Sequence, residues 1–116
     1  MTVTIPWVPP TLNKMLRSHW SKRKKDLQTV SIYLAGSGIS RPRERESRKI
    51  RVAVQMFRTN PTDRDGAQGA CKPIFDAITR LGIARDDSEK WMEQVVLPVI
   101  VDRKNPRTEI SIEIVQ

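Results

Sequence analysis

Residues 50–82 read IRVAVQMFRTNPTDRDGAQGACKPIFDAITRLG and place a strand pattern directly before a helix pattern. Apolar side chains alternate with others over residues 50–56, and a period of two is typical of a β-strand. The later apolar residues recur at helical spacing, and Pro73 is tolerated only in a first turn, so a helix is predicted to begin around residues 69–72. Gly82 is a typical C-terminal stop for that helix.

Similar patterns lie on both sides of this β–α unit. Residues 3–7 predict a short strand. Apolar residues then recur at helical spacing and predict a helix that is capped by Ser18 or Ser21 and stops at residues 36–38; they are Trp20, Leu27, Val30 and Leu34. Residues 91–101 are typical of a strand in which Pro98 indicates an edge position or a bulge. Residues 110–114 alternate again. The predicted order is β-α-β-α-β-β, an α+β domain with a single small mixed sheet and two main helices.

The chain of 116 residues is long enough for one modest core, so a single domain over residues 1–116 is predicted. Its net charge of +8 is unevenly distributed. Residues 1–58 carry 13 Lys and Arg against three Asp and Glu, whereas residues 59–116 carry eight against ten. The first half is therefore predicted to bind a polyanion and the second to hold an acidic site.

The single cysteine, Cys71, has no partner for an internal disulfide, which fits a reducing compartment and predicts a cytoplasmic protein. Cys71 is itself expected to be a small core residue. No apolar run approaches the roughly 20 residues that span a bilayer, and no signal-peptide pattern opens the chain. Association with a membrane is therefore not expected.

The acidic stretch begins with Asp63 and Asp65, two residues apart. In an extended segment this spacing places both carboxylates on one side of the chain. Hard oxygen ligands of this kind suit Mg²⁺ or Mn²⁺, and Gly66 and Gly69 would let the backbone turn and a phosphate approach. A Ca²⁺ loop or a simple Asx turn is the alternative, although the further ligands of an EF-hand are missing.

A lysine and three more carboxylates follow. Lys72 and Asp76 stand four apart on the polar face of the predicted helix, which also fits an ordinary surface ion pair. Lys72 is well placed to stabilise charge that develops on a phosphate in a transition state. Taken alone, the doublet Asp86-Asp87 is weak evidence for a metal site, because adjacent aspartates are unremarkable in an exposed loop. Beside a bound cation, two aspartates would be meaningful.

Carboxylates concentrated beside a basic surface repel phosphate unless a divalent cation lies between them. The residues therefore indicate first a metal-dependent nuclease, and second a non-catalytic DNA- or RNA-binding protein with structural carboxylates. An ordinary solvated surface is the remaining alternative for the basic half. The densest basic cluster, predicted to bind DNA, is Lys14, Arg17, Lys22, Arg23, Lys24 and Lys25.

The chain resembles the RusA family of Holliday junction resolvases, especially phage and prophage members, over most of its length. Its opening Pro-Pro-Thr-Leu-Asn at residues 9–13 is similar to that family's Pro-Pro-Ser-x-Asn start. Gly66 stands where the best-known members have Asn, and the gap that follows is longer than theirs. The central motif is Asp63-x-Asp65, Lys72-x-x-x-Asp76-Ala77-Ile78, Gly82 and Asp86-Asp87.

The resemblance implies paired, symmetric phosphodiester hydrolysis at four-way DNA junctions in recombination or repair. It assigns the catalytic metal, Mg²⁺ with Mn²⁺ as a substitute, to Asp63, Asp65 and Asp87, and makes Lys72 essential. Resolving a junction requires two matched cuts, which predicts a C2 homodimer. A related nuclease acting on forks or flaps is an open alternative. The supporting acidic residues are Asp76 and Asp86.

Overall fold

The computed structural model describes residues 2–9, 20–36, 48–84, 86 and 88–115. The α+β class is confirmed, with one mixed five-stranded sheet and two main helices. The structure adds a short helix before the second main helix and divides the strand predicted over 91–101 into two. In chain order the elements are β1 (Thr2–Ile5), α1 (Trp20–Gly36), β2 (Ile50–Arg58), α2 (Arg64–Ala70), α3 (Lys72–Arg80), β3 (Met92–Val96), β4 (Ile100–Val101) and β5 (Arg107–Ile114).

Strand β2 lies inside the sheet, whose order is β1–β5–β2–β3, with β4 also paired to β2. Strand β5 is antiparallel to both β1 and β2, whereas β3 and β4 run parallel to β2. Pro98 lies between β3 and β4 and has no N–H to donate to a ladder, which explains the interruption. The predicted edge position of Pro98 is confirmed, because both strands pair with β2 alone.

The predicted alternation of β2 is confirmed by its burial. Val52, Val54 and Met56 are fully buried on the side of the sheet that carries the helices, whereas Arg51 on the opposite side is exposed. Helix α1 contributes its predicted apolar residues to the same core, where Val30 and Leu34 are buried. None of the described helices combines the length and apolarity that crossing a membrane requires.

Helix α3 begins at Lys72, within the predicted range, and Pro73 occupies its first turn. Because Pro73 has no N–H, the helical bonding is interrupted, and α2 and α3 meet at Cys71 instead of forming one helix. The predicted stop at Gly82 is confirmed. Gly82 has a φ of 75°, and the N–H of Ile83 donates to the Ile78 carbonyl at 3.1 Å, as in a Schellman motif.

Two side-chain hydrogen bonds hold the segment after β1 against the sheet. The hydroxyl of Thr108, which is fully buried on β5, donates to the Trp7 carbonyl at 2.7 Å. The guanidinium of Arg58, the last residue of β2, donates from Nη1 to the Pro9 carbonyl at 2.6 Å. Together they fix the path by which the chain leaves β1.

Replacing Thr108 with Val keeps the side-chain shape but leaves the Trp7 carbonyl without its donor. We expect Thr108→Val to lower the free energy of unfolding by about 1–3 kcal/mol, as measured by urea denaturation. Thr79→Val is the matched control, because the Thr79 hydroxyl only donates to the Phe75 carbonyl within helix α3. Equal stability of the two variants would contradict a structural role for the Thr108 bond.

Candidate functional site

Asp63 caps helix α2. Its backbone is extended, and its Oδ1 accepts a hydrogen bond from the Gly66 N–H at 2.7 Å. The carboxylate thus satisfies one of the N–H groups that a helix leaves free at its first turn. Asp65 lies in that first turn and is exposed. The expected extended segment with both carboxylates on one side is therefore wrong, because the cap bond starts a helix directly after Asp63.

Gly66 permits this cap by its lack of a side chain. A Cβ at this position would lie 2.8 Å from Asp63 Oδ1 and 3.1 Å from Thr62 Cγ2. Any larger residue would push the capping carboxylate away from the helix. The sharp turn expected at Gly66 is not seen, because its backbone is part of helix α2. Its lack of a side chain instead admits the capping carboxylate of Asp63, so the Asx-type bonding considered for this stretch is present.

Lys72 and Asp76 line one groove between the two short helices and the edge strand β3. The groove has a volume of about 340 Å³ and is walled by Phe75 of α3 and by Gln68 of α2 and Gln94 of β3. A larger cavity of about 570 Å³ adjoins it along β3, and the two share Gln68 and Gln94. We call the two cavities together the helix–edge groove. Its size falls in the range of about 300–1,000 Å³ that is usual for ligand sites.

Three charged side chains on helices α2 and α3 have no counter-ion among the described residues. Lys72 and Asp76 form no ion pair within 4.0 Å there, so the surface pair considered from their spacing is not made, and Asp65 is likewise without a basic partner. Three other carboxylates do pair with arginine. These pairs are Glu93–Arg51, Asp102–Arg107 and Glu109–Arg107.

The structure describes two of the three expected metal ligands, Asp63 and Asp65. Asp63 and Asp65 lie at the start of α2, a helix of seven residues and about 10 Å, whereas Lys72 follows its end. Asp86 is half-buried, and its Oδ1 accepts from the Ser88 N–H at 2.8 Å. Asp87 lies outside the described residues. Within the described ranges, no three His, Cys, Asp or Glu side chains form a group that holds a metal.

The expected DNA-binding residues belong to the segment that contains α1. Lys14 and Arg17 lie outside the described residues. Lys22, Arg23 and Lys24 belong to the first turns of α1, and Lys25 is exposed on that helix. The helix predicted here is confirmed, whereas contact with DNA stays a prediction.

Gln68 and Gln94 are groove residues that the sequence motifs do not include. In the alternation of β3, Met92, Gln94 and Val96 share the helix-facing side, because Gln94 pairs in register with the buried Val52. A polar side chain at an inward position of a strand is a signal that a site lies beside it. Gln68 carries no such signal, since residues 66–69 resemble a glycine-containing loop.

Cys71 is a core residue, as predicted, and is fully buried where α2 meets α3. Burial raises the pKa of its thiol to about 12, and the nearby Arg58 charge opposes this shift. Burial likewise lowers the pKa of the Arg58 guanidinium. A thiol that stays protonated at neutral pH is a poor nucleophile, so Cys71 has a packing role.

Comparison with known proteins leaves the family of this chain open. No protein-family model matches it, and no curated protein matches it. The resemblance to RusA resolvases therefore stays a prediction that rests on the motif residues themselves.

Substitution of Asp63 separates capping from charge. We expect Asp63→Ala to lower the free energy of unfolding by about 1 kcal/mol, because the Gly66 N–H loses its acceptor. Asp63→Asn keeps an oxygen acceptor at a position that favours Asn, so its unfolding free energy should match that of the wild type. Chemical denaturation measures both. A loss as large for Asn as for Ala would show that the charge, not the cap, stabilises α2.

Burial of Cys71 predicts a stability that falls at alkaline pH. The unfolded chain releases the thiol proton near the ordinary value of 9.0, whereas the folded chain keeps it until about 12. The stabilisation is therefore complete below pH 9 and is lost as pH rises towards 12. At pH 10 the unfolding free energy of the wild type should have fallen by about 1.4 kcal/mol more than that of Cys71→Ala, relative to pH 7.5. Parallel pH profiles in urea denaturation would contradict this.

Proposed function

We propose that this chain is a Mg²⁺-dependent endonuclease that cuts branched DNA, with the four-way junction as its substrate. The observation that carries the proposal is the set of unpaired charges on consecutive helices. Asp65 on α2, and Lys72 and Asp76 on α3, lack partners among the described residues. They occur in a chain of net charge +8. The resemblance of these residues to the RusA motif gives the reaction class.

Electrostatics supports a cation at this site. Carboxylates without a basic partner repel the phosphates that a positively charged surface attracts, unless a divalent ion lies between the two. Asp63 and Asp65 supply hard oxygen atoms of the kind that Mg²⁺ prefers. Asp63 uses Oδ1 for the cap, and its Oδ2 makes no hydrogen bond within the described part of the chain. The donor chemistry therefore fits the ion that the motif implies.

The position of the site in the fold also supports ligand binding. Strands β2 and β3 are parallel, and the loop that leads to Asp63 leaves the carboxyl end of β2. In open sheets with parallel strands, ligands bind outside the carboxyl ends of the strands.

The mechanism assigns a separate task to each part of the site. Asp63, Asp65 and Asp87 would hold Mg²⁺, which supplies Lewis-acid stabilisation and activates water for phosphodiester hydrolysis. Asp63 is oriented by its bond to Gly66. Lys72 places a positive charge in the groove, where it stabilises the charge of the phosphate and of the departing oxygen. The basic residues of the first half hold the DNA backbone. Each phosphate contact steepens the slope of the logarithm of the binding constant against the logarithm of salt concentration by about 0.9.

The proposed substrate also predicts the oligomeric state of the protein. A four-way junction has approximate two-fold symmetry, and its resolution requires two matched cuts, so we propose a C2 homodimer with two sites. The lone buried thiol of Cys71 is compatible with work in the cytoplasm, where thiols stay reduced.

Cleavage of a labelled mobile four-way junction, beside a linear duplex of matched sequence, tests the proposal. We expect the wild type to make paired, symmetric nicks in the junction with Mg²⁺ or Mn²⁺ and none with EDTA. Asp65→Asn should reduce cutting to the EDTA background while junction binding, measured by gel shift, is kept or tightened. Lys72→Met should slow cutting by about 100-fold or more.

Glu113→Gln is the matched control for Asp65→Asn, because it makes the same charge change at an exposed position on β5. It should cut like the wild type. If the wild type binds the junction tightly but does not cut it with either metal, the nuclease proposal is overturned. The non-catalytic binding protein would then be the remaining interpretation. Equal cleavage activity of Asp65→Asn and Glu113→Gln would show that Asp65 is not part of the catalytic site.

A further inference from the structure

Gln68 and Gln94 line both cavities of the helix–edge groove. Gln68 is in the last turn of α2, and Gln94 is on the helix-facing side of the edge strand β3. Both side chains are exposed. They are 26 positions apart in sequence, and the crossover between β2 and β3 brings them to the same groove.

Neither amide is used by the fold within the described residues, since neither makes a hydrogen bond there. A third glutamine, Gln55 on strand β2, behaves differently. The Nε2 of Gln55 donates to the Pro98 carbonyl at 2.6 Å and to the Met56 carbonyl at 3.2 Å. Gln55 therefore holds the edge of the sheet, whereas the side-chain donors and acceptors of Gln68 and Gln94 are accessible to a ligand.

The walls of the groove suit a planar ring beside a phosphate. Phe75 and Val96 line the part that contains Lys72, and Val95, Leu97 and Pro98 line the adjoining part. Apolar walls cover the faces of a base, and a primary amide offers one donor and one acceptor to its edge. Lys72 in the same groove adds a charge for the phosphate that links such a base to its neighbour.

We propose that Gln68 and Gln94 bind the edge of one unpaired nucleobase next to the cut phosphate and so set the nucleotide preference of cleavage. This inference rests on the proposed function and extends it, because it gives the site a means to select sequence at the junction. Gln68 and Gln94 are here specificity-determining residues, whereas Lys72 and the aspartates perform the hydrolysis.

The test uses a pool of four-way junctions with random nucleotides around the crossover, cut with Mg²⁺ and sequenced at the new ends. We expect a preference at one position beside the cut in the wild type. Gln68→Met and Gln94→Met keep the side-chain length without hydrogen bonds, and each should reduce that preference by about tenfold. The total number of cuts across the pool should change much less. Gln28→Met, at an exposed position of α1 outside the groove, is the control and should keep the preference.

Thermal unfolding midpoints of all four proteins should agree, since the substituted side chains are exposed. A wild type that cuts junctions without any base preference would overturn the inference and leave the proposed function intact. A preference unchanged in folded Gln68→Met and Gln94→Met would overturn it as well. Absence of any junction cutting by the wild type would overturn the proposed function, and this inference with it.

Discussion

The parallel pairing of β2 with β3 is the constraint on which the rest of the structure depends. Ile50–Val54 pair with Met92–Val96 in the same direction, so the chain must cross over between the end of one strand and the start of the next. Such a crossover requires a dozen or more residues and usually contains a helix. Here it contains α2 and α3, and with them every acidic residue of the candidate site.

The packing of helix α3 in the core determines the positions of its charged side chains in that site. Ile74 and Ile78 are fully buried in the hydrophobic core, and burying each contributes about 1.5–3 kcal/mol. Lys72 and Asp76, also four apart, lie on another side of the helix and line the groove. Packing of the apolar side therefore sets where the two charges stand.

Periodicity predicted the parts of the fold that bury a regular apolar face. The alternation of β2 and the apolar spacing of α1 and α3 need only local sequence, and the structure agrees with each. Helix α2 escaped prediction because Gly66 and Gly69 have low helix propensity and resemble a loop. The sequence feature that indicates this helix is an N-cap aspartate, Asp63, followed by an acidic residue in the first turn, Asp65. The groove itself could not be predicted, because a tertiary crossover forms it from two distant segments.

Arg58 connects the two oppositely charged parts of the chain. Burying a cation is unfavourable unless hydrogen bonds compensate, and no carboxylate among the described residues pairs with this half-buried guanidinium. Its partners are the Pro9 carbonyl at 2.6 Å and the Met56 sulfur at 3.7 Å. The basic segment follows Pro9, and the acidic segment follows Arg58. Because one hydrogen bond joins these two residues, both segments begin at adjacent points of the fold, and the strand that leads to the acidic segment also anchors the start of the basic segment.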